Sequence, residues 1–294
     1  MNILMLGGTR FFGVHAVRAL LAAGHRVTIA TRGRMKNPFE NQVGSVILDR
    51  TNMESIKHAL AGRHYDAVID NICYCSNDIK ALLDVVDCDR YVYTSTTAVY
   101  DPKHDNTIES DFDPLHRNLI WCDRMDFSYA QVKRHAEAAL WQVYGDRNFV
   151  AVRYPFVIGA DDYTRRLHFY VEHVLRQKSM HVDNLECRME FARSDEAGGL
   201  LAYMAENDFV GAVNGASQGT ISIGEILRYV EKKTGKEAML TDAGDPAPYN
   251  GEPEYSINTQ RAQKLGYTFS NLKDWIYPLL DSYIDEIEKE IEHA

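Results

Sequence analysis

Tyr129 and Lys133 stand four residues apart in Tyr129-Ala130-Gln131-Val132-Lys133, a spacing that puts a phenol and an ammonium one turn apart on one helix face. Beside a cation a phenol ionises well below its ordinary pKa of about 10. It is then able to exchange a proton with a hydroxyl or carbonyl near neutral pH. Upstream, Tyr93-Thr94-Ser95-Thr96-Thr97-Ala98-Val99-Tyr100 leaves an apolar run with a series of hydroxyls, one of which is able to hold the same substrate oxygen. On its own a Tyr and a Lys at this spacing form an ordinary solvated pair. The chemistry depends on what lies around them.

Leu6-Gly7-Gly8-Thr9-Arg10-Phe11-Phe12-Gly13 supplies that context. It follows the apolar run Asn2 to Leu6 and precedes a helical pattern from Val14 to Ala23 that Gly24 ends. Strand, glycine turn and helix in this order are what a dinucleotide-binding fingerprint requires. Gly7 supplies the tight turn, Gly13 lets the helix pack closely on the sheet, and the helix N-terminus offers free N–H groups to a pyrophosphate. Arg10 stands where the middle glycine of G-x-x-G-x-x-G is usual.

The rest of the chain reads as strands alternating with helices. Strands are predicted at Val27–Ala30, Val46–Leu48, Ala67–Asp70, Arg90–Tyr93 and Phe149–Arg153, and helices at Met53–Leu60, Ile79–Val86 and Tyr129–Tyr144. This alternation predicts an α/β fold with a doubly wound parallel sheet of Rossmann type, whose ligands bind beyond the carboxyl ends of the strands. After Pro155 the alternation breaks down. Leu167–Arg176, Ile223–Lys233 and Leu272–His293 read as helices and Asp242–Pro253 as a loop. We therefore expect a dinucleotide-binding domain over 1–155 and a smaller α/β substrate lobe over 156–294, with some segments free to return to the first domain.

The 294 residues, 45% hydrophobic and 25% charged, have the composition of a soluble globular protein. The net charge of −10 argues against nucleic acid as a main partner, because phosphate binding needs clustered Lys and Arg. Met1 runs almost directly into the first apolar run, which argues against a signal peptide, and no apolar stretch is long enough to span a membrane. Five cysteines without a C-x-x-C pair point to a reducing compartment, hence a cytoplasmic protein. The eleven histidines show no ligand spacing, and no metal is expected. His168 and His173 read as surface or packing residues, while Tyr100, His104 and Tyr163 are open to either packing or lining a substrate pocket.

These motifs together resemble the extended short-chain dehydrogenase/reductase family, also called the NAD-dependent epimerase/dehydratase family. The resemblance runs nearly end to end. Gly7 to Gly13 resembles its cofactor turn, Thr94 to Tyr100 its hydroxyl-rich strand end, and Thr107 to Pro114 its acidic loop. Tyr129, Lys133 and Glu137 resemble its catalytic helix, and Arg153 to Gly159 its nicotinamide loop. Ser194 to Ala197 and Asn214 to Lys236 resemble its second lobe, and Tyr255 to Asn258 followed by Leu265 to Tyr267 its C-terminal signature. The resemblance implies a catalytic set of Thr96, Tyr129 and Lys133. It implies cofactor contacts from Gly7, Thr9, Arg10, Phe11, Phe12, Gly13, Arg32, Asp49, Arg50, Asn71, Tyr129, Lys133, Pro155 and Val157.

Departures from the family pattern bear on substrate and cofactor. Arg10 matches an atypical branch that includes chloroplast stem-loop RNA-binding proteins, whose members often lose the catalytic Tyr that this chain keeps. Thr97 and Ala98 follow Thr96 where the family's dehydratases carry an acidic pair, which argues against a sugar-nucleotide dehydratase. Phe156 replaces an Asn that contacts the substrate diphosphate region in many sugar-nucleotide enzymes. Arg32 stands where NAD-preferring enzymes carry an acid for the ribose 2′-hydroxyl. With Arg10 nearby it suits a 2′-phosphate, so NADP(H) is favoured and NAD(H) stays open. The expected function is an oxidoreductase or epimerase that moves hydride at a carbonyl or alcohol carbon of a small molecule. Within this class a one-way carbonyl reductase and a nucleotide-sugar epimerase with tightly bound NAD both stay open, and the alternative from another class is a non-catalytic NADP sensor or RNA-binding member. The expected partner is the small-molecule substrate, with no nucleic acid and no membrane, and a homodimer stays open.

Overall fold

The computed structural model describes residues 1–293. Seven parallel strands form the central sheet: β1 (Asn2–Leu6), β2 (Arg26–Thr31), β3 (Gly44–Ile47), β4 (Ala67–Asp70), β5 (Tyr91–Thr96), β6 (Phe149–Tyr154) and β7 (Gly211–Asn214). Their spatial order is β7-β6-β5-β4-β1-β2-β3. The predicted Rossmann-type α/β fold is therefore the observed one. β4, β5 and β6 are buried along their whole length, as expected of parallel strands covered on both faces. β1 pairs with both β2 and β4, so the chain direction across the sheet reverses there. Ligands of open α/β sheets bind beyond the carboxyl ends of such a pair, and here Gly7 and Asn71 leave those ends.

Helices α1 (Phe12–Ala22), α2 (Met53–Leu60), α3 (Ser76–Leu83) and α4 (Tyr129–Val143) follow the first strands. On one face of the sheet Ile56, Ile79, Leu82, Ala136 and Leu140 pack against Leu4, Tyr91 and Ala151. On the other, Val17 and Leu20 of α1 meet Leu200, Leu201 and Met204 of a much later helix. That helix, α6 (Ser194–Glu206), follows α5 (Arg166–Leu175). Gly198 lets it approach closely, because a Cβ there would lie 2.5 Å from the Phe12 carbonyl oxygen.

The second core packs α5, α7 (Ile223–Thr234) and α9 (Leu272–Glu292) around Tyr170, Phe191, Tyr249 and Trp275. Phe156–Ile158 pairs in parallel with Phe191–Arg193 between the two lobes. α8 (Gln260–Lys264) returns to the first core through Ala262. The polypeptide thus crosses between the lobes several times. β7 and α6 belong to the first lobe although they lie beyond residue 155. Neither was read from the sequence: β7 is four residues long, and Gly198 and Gly199 lower the intrinsic helix preference of α6, which packing overrides. Asp245–Pro246, within the predicted loop, pairs with Ser179–His181. No described helix is long and apolar enough to cross a membrane.

Candidate active site

The glycine turn is shaped for close approach. Gly7 has φ +84°, and a Cβ on Gly13 would lie 2.1 Å from the Gly7 carbonyl oxygen. Phe11 adopts φ 52° and ψ −143°, a region that side chains ordinarily avoid and that is held here by the surrounding packing. No side chain caps the N-terminus of α1 and no acid lies in its first turn, so no side chain of its own competes for the first N–H groups. Asn71 donates from Nδ2 to the Gly7 carbonyl at 3.4 Å, while its Oδ1 is buried without a partner. Thr9 is half-buried at the turn, and Phe12 meets Tyr154 edge-on, with ring centres 6.0 Å apart. An uncapped helix end, a glycine cradle and an orphaned acceptor fit a dinucleotide with its pyrophosphate on the helix N-terminus.

Arg32 is exposed at the exit of β2, close to Asp49. Hydrogen bonds from Thr51 hold the Asp49 carboxyl below its ordinary value, and the charges of Arg32 and Arg34 add to the effect. Arg34, which sequence reasoning passed over, is thus the second cation beside Asp49. The expected pairing of Arg10 with Arg32 is replaced: Arg10 lies 4.0 Å over the ring of Tyr163 in the second lobe. Arg50 is corrected as well. Its guanidinium bonds the fully buried Asp70 at 2.6 and 3.0 Å and pairs with Asp78. It is committed to the sheet rather than free for a cofactor.

At the other side of the crevice, Ser128 caps α4 reciprocally with Gln131, which fixes Tyr129 as the first helical residue. Lys133 is buried and donates from Nζ to the carbonyls of Cys73 at 2.7 Å and Thr94 at 2.8 Å, leaving one ammonium N–H for a further acceptor. Burial pulls its pKa down. Thr96, at the end of β5, accepts from the Ala98 amide at 3.2 Å and keeps its own O–H to donate. Half of Tyr129 is exposed, but burial around its hydroxyl raises the phenol pKa; Thr96 and the charges of Arg166 and Arg124 oppose that rise. The expectation of a phenol acidified by Lys133 is corrected accordingly. The ammonium lies 6.0 Å from the centre of the Tyr129 ring and spends two of its protons on backbone carbonyls.

Pro155 and Val157 are buried where β6 passes into the second lobe. Phe156 between them supports Arg166, whose guanidinium lies 4.8 Å from the ring centre. Tyr74 meets Tyr129 edge-on at 6.2 Å, and Arg124 lies 3.6 Å over the Tyr74 ring. Tyr74, Arg124 and Arg166 were not singled out in the sequence. One signal was present for Arg166: it opens a helix, where the backbone dipole disfavours cations. His168 and His173 pack internally, against Tyr283 and Phe169. Tyr100 donates to Asn214 at 2.5 Å in the buried core, His104 pairs with Asp111 at 2.9 Å, and Tyr163 meets Arg10. All five cysteines are unpaired.

Residues 3–78 match the model of the NAD dependent epimerase/dehydratase family. The chain is 32% identical to the chloroplast stem-loop binding protein of 41 kDa b of Arabidopsis thaliana, over 34% of this chain and 30% of that protein. It is 34% identical to the 2'-dehydrokanamycin reductase of Streptomyces kanamyceticus, over 35% of this chain and 29% of that protein. The matches thus span about three tenths of either relative. Among solved structures, the UDP-glucose 4-epimerase of Thermus thermophilus in complex with NAD superposes with a TM-score of 0.71 at 18% identity. That likeness covers 96% of this chain and 99% of the epimerase, and it extends the shared fold through both lobes.

Proposed function

From the match of residues 3–78 to the NAD dependent epimerase/dehydratase family we propose that the chain is a nicotinamide-dependent enzyme acting on a carbonyl or alcohol carbon of a small molecule. What supports this reading is that Thr96 bears on the Tyr129 phenol and that Lys133 donates to the carbonyls of Cys73 and Thr94, while Asn71, two residues before Cys73, donates to the Gly7 carbonyl of the glycine turn. When bound, the nicotinamide supplies or accepts the hydride. Tyr129 gives its phenolic proton to a nascent alkoxide or takes one from an alcohol. Thr96 holds the same substrate oxygen with its free O–H. Lys133 keeps the crevice cationic, and its remaining N–H is placed for a ribose hydroxyl. Gly7, Thr9, Phe11, Phe12, Gly13 and Asn71 would seat the dinucleotide, Pro155 and Val157 would wall its nicotinamide end, and Arg32 with Arg34 would favour a 2′-phosphate, hence NADP(H).

Reduction in one direction is the reading that Arg32 and Phe156 support. An epimerase that returns the hydride to the opposite face is supported by the full-length likeness to a UDP-glucose 4-epimerase. Mass spectrometry of protein purified without added cofactor separates the two. Retained NAD is expected of an epimerase, and an empty site that takes up NADPH is expected of a reductase. A panel of carbonyl compounds and nucleotide sugars, read by NADPH oxidation and product analysis, then tests for turnover. Tight dinucleotide binding without turnover on that panel would replace the enzyme with a sensor.

A further inference from the structure

Arg10 is the residue by which the glycine turn departs from its usual pattern, and the nicotinamide-dependent reading leaves it without a task. It is exposed, and its guanidinium lies 4.0 Å from the ring centre of Tyr163, in the segment that leads into α5. A guanidinium over a tyrosine face is an attractive contact that needs no carboxylate. The same ring meets Phe11 edge-on, with centres 5.9 Å apart, and Phe11 is the turn residue held at φ 52°. Tyr163 thus touches two consecutive residues of the turn, at the N-terminus of α1.

The segment 159–164 is anchored so that this ring stays in place. Asp161 accepts from Ser194 Oγ at 2.7 Å and pairs with His15 of α1 at 3.0 Å, so both its oxygens are engaged by groups other than Arg10. Asp162 turns inward: it is buried, and its Oδ1 accepts from the Thr164 amide at 2.9 Å and the Thr164 hydroxyl at 2.6 Å. Gly159 permits the close folding, because a Cβ there would lie 2.3 Å from Ser194 Oγ. Between these tethered neighbours Tyr163 remains 58% exposed, so it adds little to either core. A weak, exposed contact carried by an anchored segment is suited to open and reform without unfolding anything.

We propose that Arg10 and Tyr163 form a clasp across the opening of the dinucleotide cleft, which must part for the cofactor to enter or leave, so that this pair sets the rate of cofactor exchange. This rests on the nicotinamide-dependent reading above and deepens it. Fast exchange suits a reductase, which trades oxidised for reduced cofactor at every turnover, and slow exchange suits an enzyme that returns its hydride. The clasp joins protein to protein, so it holds the filled and the empty cleft alike. A contact of equal strength in both states changes rates and leaves affinity alone.

The test follows NADPH fluorescence by stopped flow with the whole protein: association on mixing, and release on dilution into excess NADP+. In Tyr163→Leu both rates should rise by about two- to fivefold, with Kd close to unchanged. Tyr163→Phe keeps the ring that faces the guanidinium and should exchange like wild type. Arg10→Gln should speed release to the same extent as Tyr163→Leu, and the double variant no further, because each substitution removes the same contact. Both side chains are exposed, so neither substitution disturbs a core. Release from Tyr163→Leu at the wild-type rate overturns the clasp. Faster release matched by an equally weaker Kd also overturns it, making Tyr163 a direct cofactor contact. Wild type that binds no nicotinamide dinucleotide refutes the nicotinamide-dependent reading and the clasp with it. Tight binding with exchange indifferent to both substitutions refutes the clasp alone.

Discussion

Arg153 of β6 is locked onto Glu137 of α4, with Nη2 to Oε2 at 2.5 Å, Nε to Oε1 at 3.0 Å and both side chains fully buried. Glu137 lies one turn beyond Lys133 on the same face of α4, and it also accepts from Ser95 at 2.5 Å. Arg153, on β6, reaches on to the Tyr100 hydroxyl at 3.1 Å and the Glu109 carbonyl at 2.7 Å. The pair thus ties α4, β5 and β6 together one turn beyond Lys133.

Breaking that pair leaves a buried charge unmatched. Arg153→Met or Glu137→Gln should lower stability by ~3–5 kcal/mol, read as a reduced denaturation midpoint with an unchanged slope. Replacing both residues at once with apolar side chains should recover much of the loss. A single variant with wild-type stability would contradict this account of the pair.

Tyr129→Phe removes one oxygen from a half-exposed ring, so fold and cofactor affinity should be close to unchanged. Turnover should fall by about 10²–10⁴-fold, the usual contribution of a positioned proton-transfer group. Full rate in this variant would remove Tyr129 from the chemistry.

Lys133 carries a pH signature. Burial lowers its folded-state pKa below the ordinary 10.5, so between the lowered value and 10.5 the unfolded chain binds more protons and stability rises with pH. The stability of wild type relative to Lys133→Met should therefore increase as pH is raised from about 7 toward about 10. Thermal unfolding of both proteins across that range checks it, and a difference that stays flat or shrinks would oppose it. Lys133→Ala should also weaken both dinucleotide binding and turnover; unchanged affinity would reduce Lys133 to a purely structural residue.

Cofactor preference depends on the exposed cations at the exit of β2. If Arg32 holds a 2′-phosphate with Arg34, NADP(H) should bind tenfold or more tightly than NAD(H), given ~1.5–3 kcal/mol per charge-assisted contact. Arg32→Asp should flatten or reverse that preference. Equal affinities in the unmodified protein would assign Arg32 to the solvated loop instead.

The glycine turn, the run of hydroxyls after Tyr93 and the Tyr129–Lys133 spacing were legible in the residue order, because each depends on neighbours within one turn or one strand. Gly13 had to be glycine to avoid a clash with nearby Gly7, and Ser128 caps a helix that its own sequence begins. The alternation through residue 154 likewise predicted a parallel doubly wound sheet, since buried parallel strands and their covering helices have different periods. What lay beyond local order was decided by contacts between distant segments. Arg50 reads as a cofactor contact until Asp70, on another strand, captures it. Arg10 turns to Tyr163 only because the second lobe folds back over the glycine turn. The pKa of Tyr129 is raised by burial that no spacing reveals. Periodicity records how a residue sits on its own element; charge pairing, burial and pocket composition are properties of several elements at once, and only the packed chain sets them.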